Sequence, residues 1–263
     1  MENIESTGGP AAAPAGRFLT GRKVLVTGAA SGIGRACATA FAEAGAHVYV
    51  VDLAEEAAEA VADEIGGTAH VVDLSDAEAV DALPDDADVV VNNAGLQYVA
   101  PIHDFPAERF VLIQRVMVEA PFRIVRRTLP HMYARGWGRI VNISSVHGLR
   151  ASAFKSAYVT AKHALEGFSK VAALEGAPYG VTSNCINPGY VRTPLVENQI
   201  AGQAAAHGIS ADEVVERIML DRTAIKRLIE PEEVARAALF LCGPDTGFIT
   251  GASIPLDGGW TAH

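Results

Sequence analysis

One stretch constrains this chain more than any other. A short apolar run, KVLVT at 23–27, passes directly into TGAASGIG at 27–34 and then into a helical pattern over 34–44. Glycines there permit a tight turn and a close approach of backbone to a ligand. A strand feeding a helix in this way opens a βαβ unit, whose next strand runs parallel to the first. The remaining chain keeps the rhythm. Apolar runs at 46–52 (AHVYVVD), 68–73 (TAHVVD), 88–92 (DVVVN), 138–144 (GRIVNIS) and 181–186 (VTSNCI) alternate with helical stretches, among them 55–65 and 156–174. A late run at 253–256 reads as a short edge strand. Near-continuous Val/Ile runs alternating with helices predict a parallel sheet covered on both faces, a doubly wound α/β fold. No internal repeat or linker divides it, so one domain is expected.

Composition narrows the function classes. The 263 residues are 49% apolar and 20% charged, which places the chain among globular proteins. Lys plus Arg number 21 against 31 Asp plus Glu, a formal charge of −10. That balance argues against nucleic acid and anionic membrane as partners, both of which need a cationic face. No apolar run reaches the ~20 residues of a membrane span. Residues 1–18 are rich in Gly, Pro, Ala and Ser and lack a basic segment followed by an apolar one, so they read as a disordered leader of a cytoplasmic protein. Cys37, Cys185 and Cys242 are odd in number and scattered, which predicts reduced, buried thiols and no metal site. Residues 195–230 depart from the alternation, being polar, Ala/Gln-rich and helical. Two readings stay open there, a lid over a site or a pair of surface helices.

The Gly-rich turn between strand and helix suits a pyrophosphate, whose charge meets the helix N-terminus. Asp52 ends the second strand, 24 residues after Gly28. A carboxylate there accepts hydrogen bonds from adenosine ribose hydroxyls and repels a 2′-phosphate, and Leu53 offers no cation to offset this. NAD is the cofactor expected. Asp73 ends the third strand, where it either sits by the adenine or caps a helix over 75–83. Asn92-Asn93-Ala94-Gly95 ends the fourth, where it either passes close to the nucleotide or ties neighbouring strands together. Tyr158 and Lys162 lie four apart in the helical run 156–174, hence on one face. A Lys beside a phenol lowers the phenol pKa, making Tyr158 an acid/base near neutrality. Ser145, thirteen residues upstream and just past the fifth strand, is placed to hold a carbonyl or hydroxyl oxygen.

These motifs together resemble the short-chain dehydrogenase/reductase family, across nearly all of the chain after the leader: TGAASGIG at 27–34, NNAG at 92–95, Ser145 with Tyr158-Val159-Thr160-Ala161-Lys162, and Pro188-Gly189. The resemblance implies a Rossmann-like seven-stranded parallel sheet, usually in a homotetramer, and hydride transfer at a nicotinamide. It implies Tyr158 as acid/base, Lys162 on the nicotinamide ribose, and Ser145 orienting the substrate oxygen. Cofactor contacts are implied for Gly28, Ser31, Gly32, Ile33 and Gly34, for Asp73 and Leu74, for Asn93, Ala94 and Gly95, and for Pro188, Gly189, Val191 and Thr193.

A narrower resemblance, to D-3-hydroxybutyrate dehydrogenases, rests on GLQYV at 95–99, SVHGL at 145–149, FKSAY at 154–158 and TPLVENQI at 193–200. In that group Gln, His, Lys and Gln at these places hold the substrate carboxylate, which maps onto Gln97, His147, Lys155 and Gln199. A small acid needs a charge-assisted anchor to fix its reacting carbon. Two positions depart from the pattern. Met117 stands where the family usually has an Asn that supports a water relay from the lysine. Tyr190 stands where a Trp often follows Pro-Gly, and it keeps an aromatic wall. Trp260 either contributes to the pocket or packs in the core. The expectation is an NAD-dependent dehydrogenase of (R)-3-hydroxybutyrate. The rival readings are a dehydrogenase of another small hydroxy acid, secondary alcohol or sugar, and a non-catalytic NAD-binding protein.

Overall fold

The structure, a computed structural model, describes residues 16–262. Most of the leader expected over 1–18 lies outside the described residues. The expected boundary at 18 falls inside a turn, where Leu19 is buried and its N–H donates to the Ala44 carbonyl at 3.0 Å.

Seven parallel strands form one sheet: β1 (Lys23–Thr27), β2 (His47–Asp52), β3 (Thr68–Val71), β4 (Val89–Asn92), β5 (Gly138–Ile143), β6 (Val181–Pro188) and β7 (Ser253–Leu256). Their order is β3-β2-β1-β4-β5-β6-β7. Val24 pairs with Val48 on one side and Val89 on the other, so β1 lies at the point where the order reverses. Ligands of open α/β sheets bind at such a point, beyond the strands' carboxyl ends.

Side chains alternate across the sheet because the strand period is two. Val24 and Val26 meet Ala38 and Phe41 of α1 (Gly32–Glu43) and Val234, Ala238 and Leu241 of α9 (Pro231–Leu241). Leu25, Val51, Val90 and Ile140 point the other way, toward Ile124 and Val125 of α5 (Ala120–Ala134) and Ala172 of α6 (Ser156–Gly176). On the first face, α2 (Glu55–Ile65) adds Ala58 and Val61 and stops at Gly66, whose φ of 65° is left-handed.

Several boundaries differ from expectation, those of β3, the helix after it and β6 for local reasons. β3 ends at Val71, and the helix expected over 75–83 is the short α3 (Ala77–Asp81), capped by Asp76 rather than Asp73. β6 extends to Pro188 because β7 pairs with its last residues, Asn187 with Pro255 and Pro188 with Leu256. The helix before β5 is α4 (Ala107–Gln114) running into α5 through one wide π turn, Arg115–Glu119. Single π turns inside helices gather at functional sites, and Met117 sits in this one.

The stretch 195–230 forms a cover on the carboxyl ends: α7 (Pro194–His207), α8 (Ala211–Val214) and a second π turn, Val215–Met219. It has a small core of its own, with Val196, Ile200, Val214, Met219, Leu220 and Leu228 buried together. At about 1.5–3 kcal/mol per buried side chain this core holds the cover as a unit. No helix among the described residues is long and apolar enough to cross a membrane.

Candidate active site

Two adjoining cavities open at the carboxyl ends of the strands. The larger, about 560 Å³, begins at the Gly-rich turn. Gly28 has φ 64°, and a Cβ there would stand 2.9 Å from the Ala94 Cα, so both conformation and space require glycine. Gly34 does not line the cavity. Any Cβ on it would strike the Gly28 carbonyl oxygen, so Gly34 lets α1 pack under the turn. Gly28, Ser31, Gly32 and Ile33 do line it, as do Asp73, Leu74, Asn93, Ala94 and Gly95, and at the far side Pro188, Gly189, Val191 and Thr193. Ser31 caps α1 without any side-chain hydrogen bond, so the helix's first N–H groups have no side-chain acceptor. Asp52 lies at the rim, its two oxygens accepting the N–H groups of Ala30 (2.9 Å) and Ala54 (3.1 Å).

These features fit a dinucleotide. The volume falls in the ~300–1,000 Å³ of ligand pockets, and a helix N-terminus with uncapped donors suits the diphosphate. Around Asp52 the lining offers Leu53, Val72, Asp73 and Leu74 and no cation; Lys162 is the one basic residue of this wall. Asp73 accepts the Ser75 N–H at 2.8 Å and faces the cavity, which leaves the helix cap to Asp76. Asn92 and Asn93 mainly tie strands: Asn92 donates to Asn142 (2.8 Å), and Asn93 donates to the carbonyls of Thr27 (2.9 Å) and Gly28 (3.1 Å).

Ser145 and Tyr158 line both cavities, so they form the wall between them. Ser145 follows β5 and opens the 3₁₀ turn Val146–Gly148, its Oγ accepting the His147 N–H at 3.1 Å. The turn packs on α6, and the four-residue spacing puts Tyr158 and Lys162 on the face toward it. Lys162 is 4% exposed, its Nζ donates to the Ile143 carbonyl at 2.7 Å, and it stands 5.6 Å from the Tyr158 ring centroid. Burial lowers the Lys162 pKa to about 8, with Cys185 and Glu166 acting in the opposite direction. The Tyr158 phenol departs from expectation. Burial raises it, Ser145 pulls it back by hydrogen bonding, and Tyr190 adds to the rise; Lys162 does not set it, because its ammonium is turned to the Ile143 carbonyl.

The second cavity, about 410 Å³, brings Gln97, His147, Lys155, Tyr190, Gln199 and Trp260 together with Ser145 and Tyr158. Gln199 reaches down from α7 and donates to the Gln97 Oε1 at 3.1 Å. Lys155 Nζ lies 3.4 Å from His147 Nε2 and 5.8 Å from the Tyr190 ring centroid. A ring nitrogen facing an ammonium acts as acceptor, which assigns the His147 proton to Nδ1. That Nδ1 and the Gln97 Nε2 are buried without a protein partner. Burial lowers His147 to about 4, with Lys155 and His163 adding to the fall, and burial also lowers Lys155. Trp260 packs edge-on against His147 at 5.9 Å, which settles its place in this pocket. The two unpartnered donors beside the Lys155 ammonium suit an anion, with Asp221 the one carboxylate among the described lining residues.

Met117 is 1% exposed and its Sδ accepts the Leu96 N–H at 3.4 Å. It joins Ile113, Val116, Ala157 and Ala161 in an apolar cluster. The relay amide of the family pattern is therefore replaced by packing. All three cysteines are free and buried, and burial pushes Cys37 and Cys242 up to about 12. Asp221, Arg222 and Thr223 also line the second cavity, and Arg222 lies 5.8 Å from the Trp260 ring centroid. The sequence reading missed these three. Their one signal is an Asp-Arg pair ending the cover, which reads equally as a solvated turn.

The family model described as Enoyl-(Acyl carrier protein) reductase matches residues 28–261. The chain is 44% identical over 256 residues to a D-beta-hydroxybutyrate dehydrogenase of Rhizobium meliloti, covering 92% of this chain and 99% of that one. The chain belongs to the short-chain dehydrogenase/reductase family. A second D-beta-hydroxybutyrate dehydrogenase, from Cupriavidus necator, is 40% identical over 258 residues, covering 94% and 100%. Among solved structures, a putative NAD(P)-dependent gluconate 5-dehydrogenase from Beutenbergia cavernae with NADP bound superposes with a TM-score of 0.83 at 34% identity, covering 93% and 98%. As a member of the short-chain dehydrogenase/reductase family the protein is an oxidoreductase.

Proposed function

We propose that this oxidoreductase interconverts (R)-3-hydroxybutyrate and acetoacetate with NAD. One observation carries the reading: Gln97, His147, Lys155 and Gln199, from four separate segments, converge on one cavity whose wall is Ser145 and Tyr158. A carboxylate held by Lys155 and the flanking amides fixes a short acid with its hydroxyl at that wall. The two hydroxybutyrate dehydrogenase relatives support the same substrate class.

The bound dinucleotide supplies the hydride acceptor. Tyr158 takes the hydroxyl proton in oxidation and returns it in reduction. The Ser145 hydroxyl, whose oxygen already accepts the His147 N–H, is left to donate to the substrate oxygen. Lys162, anchored on the Ile143 carbonyl beside the Tyr158 ring, would hold the nicotinamide ribose of the bound dinucleotide. Gln199, carried on α7, closes the pocket and excludes water. Met117 gives Lys162 no amide partner, so proton exchange with solvent takes another path.

Asp52 and the uncharged wall beside it favour NAD. Repulsion of a 2′-phosphate by at least ~1.4 kcal/mol yields a tenfold preference in kcat/KM. The NADP in the related gluconate dehydrogenase favours a second reading of the cofactor. The pocket volume and a second cation in its lining, Arg222 beside Trp260, favour a second reading of the substrate, a longer hydroxy acid. NADH and NADPH formation measured with (R)- and (S)-3-hydroxybutyrate, 2-butanol and gluconate separates them. We expect the (R) acid with NAD to exceed every other pair; equal rates with both cofactors, or preference for gluconate, overturns the reading.

A further inference from the structure

We propose that the buried Glu166 is a positioning residue for the acid/base pair: pinned by Asn187 and Ser253 one helical turn beyond Lys162, its carboxylate keeps Lys162 charged and ties the Ser145 backbone to α6. This rests on the reading of Tyr158 and Lys162 as that pair.

Tyr158, Lys162 and Glu166 follow one another at four-residue spacing, so they form a stripe on α6. Glu166 is only 5% exposed. Its Oε1 accepts from Asn187 Nδ2 at 2.6 Å and its Oε2 from Ser253 Oγ at 2.5 Å. The same Asn187 amide donates to the Ser145 carbonyl at 2.9 Å. A Cβ on Gly148 would stand 2.9 Å from Glu166 Oε1, so the 3₁₀ turn carrying His147 rests on this carboxylate. Glu166 thus reaches both halves of the catalytic wall.

A tie between β6, β7 and α6 needs no charge. An amide would accept and donate there without the desolvation cost of a buried carboxylate, and both partners of Glu166 are neutral. The charge has its complement in Lys162, whose ammonium is buried and hydrogen-bonded only to a carbonyl. Burial works against that ammonium, and the groups opposing burial are Cys185 and Glu166. Burial raises the Cys185 thiol far above neutrality, which leaves the Glu166 carboxylate, four residues along the same helix face, as the group that acts on Lys162. The other surroundings supply none: α4 and the π turn present Ile113, Val116 and Met117, and β5 presents the Ile143 carbonyl. The remaining titratable neighbours are Tyr158 on the same helix, His147 on the 3₁₀ turn, and Lys155 just before the helix.

The chain has five lysines, Lys23, Lys155, Lys162, Lys170 and Lys226, so Lys162 can be assigned by ¹³C-lysine NMR in the cofactor-free protein. In Glu166→Gln its titration midpoint should fall by about one pH unit. The alkaline limb of kcat/KM should move by the same amount, an about threefold loss at pH 7.5 for a midpoint near 8. Ser253→Ala keeps the charge, and Cys185→Ala removes the rival group; both should leave the Lys162 midpoint within about 0.3 units. An unmoved midpoint in Glu166→Gln overturns the proposal. Should that variant not fold, a fall of one unit in Cys185→Ala overturns it instead. The NMR readout needs no turnover, so an inactive native protein counts against the proposed reaction and leaves this result standing.

Discussion

The two ends of the sheet each hold a buried charge and are oppositely built. At the amino ends, Asp88 is 2% exposed and fully complemented. Its Oδ1 meets Arg22 at 3.0 Å and Arg135 at 2.8 Å, with His131 at 3.5 Å, and its Oδ2 accepts the Lys23 N–H at 2.9 Å. Beside it the Arg22 and Arg139 guanidiniums lie 4.1 and 4.6 Å from the Trp137 ring centroid. At the carboxyl ends the cations Lys155 and Lys162 are hydrogen-bonded to neutral groups, the His147 ring and the Ile143 carbonyl, and the buried carboxylate nearest Lys162, Glu166, stands a helical turn away. Buried donors there have no protein partner. At the amino end the protein's own cations meet Asp88, although the buried Arg139 Nε lacks a partner there too. At the carboxyl end the unpartnered nitrogens of Gln97 and His147 belong to the lining of the second cavity, poised for something that is not protein.

The sharpest way to test this division is to remove one group at each end. Tyr158→Phe should lower kcat by about 10²–10⁴, the range supplied by a general acid/base. Cofactor affinity, read by calorimetry, should stay nearly intact, and thermal stability should not fall. Activity above a tenth of native would contradict the role. Asp88→Ala is the mirror experiment. It leaves Arg22 and the exposed Arg135 to water and strands the Lys23 N–H, and an unpaired donor of that kind costs about 1–3 kcal/mol. Denaturant unfolding should show that loss, while kcat/KM of the surviving folded enzyme stays native. A changed rate would mean the two ends are coupled through the strands.

The sheet and the Gly-rich turn were legible in the sequence because Val/Ile runs and closely spaced glycines declare themselves by local period and spacing, whereas the Asp88 cluster at the amino ends was not. Ser145, Tyr158 and Lys162 were legible for the same reason, since four-residue spacing and a strand end fix where they stand. What escaped depends on partners far along the chain. The π turn around Met117 leaves the apolar periodicity of the helix unmarked, so sequence alone places Met117 without revealing its bond to the Leu96 N–H. Glu166 reads as a solvated helix position until β6 and β7 bring Asn187 and Ser253 to it. The Lys162 effect on Tyr158 was misjudged because adjacency on a helix does not say where an ammonium points. Its acceptor lies on β5.

A smaller effect separates function from stability within the carboxyl end. Lys155→Ala should cost roughly 10–150-fold in kcat/KM toward 3-hydroxybutyrate, the worth of a charge-assisted hydrogen bond of about 1.5–3 kcal/mol. The loss should be much smaller for 2-butanol, which has no carboxylate. Because burial disfavours the Lys155 ammonium, its removal should not lower the unfolding midpoint, in contrast to Asp88→Ala. Equal damage to acid and neutral alcohol would make Lys155 structural.

The smallest expected effect concerns pH. Burial, Lys155 and His163 hold His147 at about 4 in the folded chain against an ordinary 6.5. Between those values the unfolded chain binds a proton that the folded chain refuses, so stability attributable to His147 is fully present above about 6.5 and is lost as pH falls toward 4. The slope is at most one proton, about 1.4 kcal/mol per pH unit. His147→Gln, which does not titrate, should flatten the stability curve across that window and leave it unchanged above pH 7. His70 is also lowered by burial and contributes equally to both proteins, so the difference between them isolates His147. Urea unfolding of the two proteins at several pH values between 4 and 7.5 measures it. Parallel curves would mean that His147 is protonated in the folded state, and then its ring could not accept from Lys155, and the donor arrangement of the pocket would have to be redrawn.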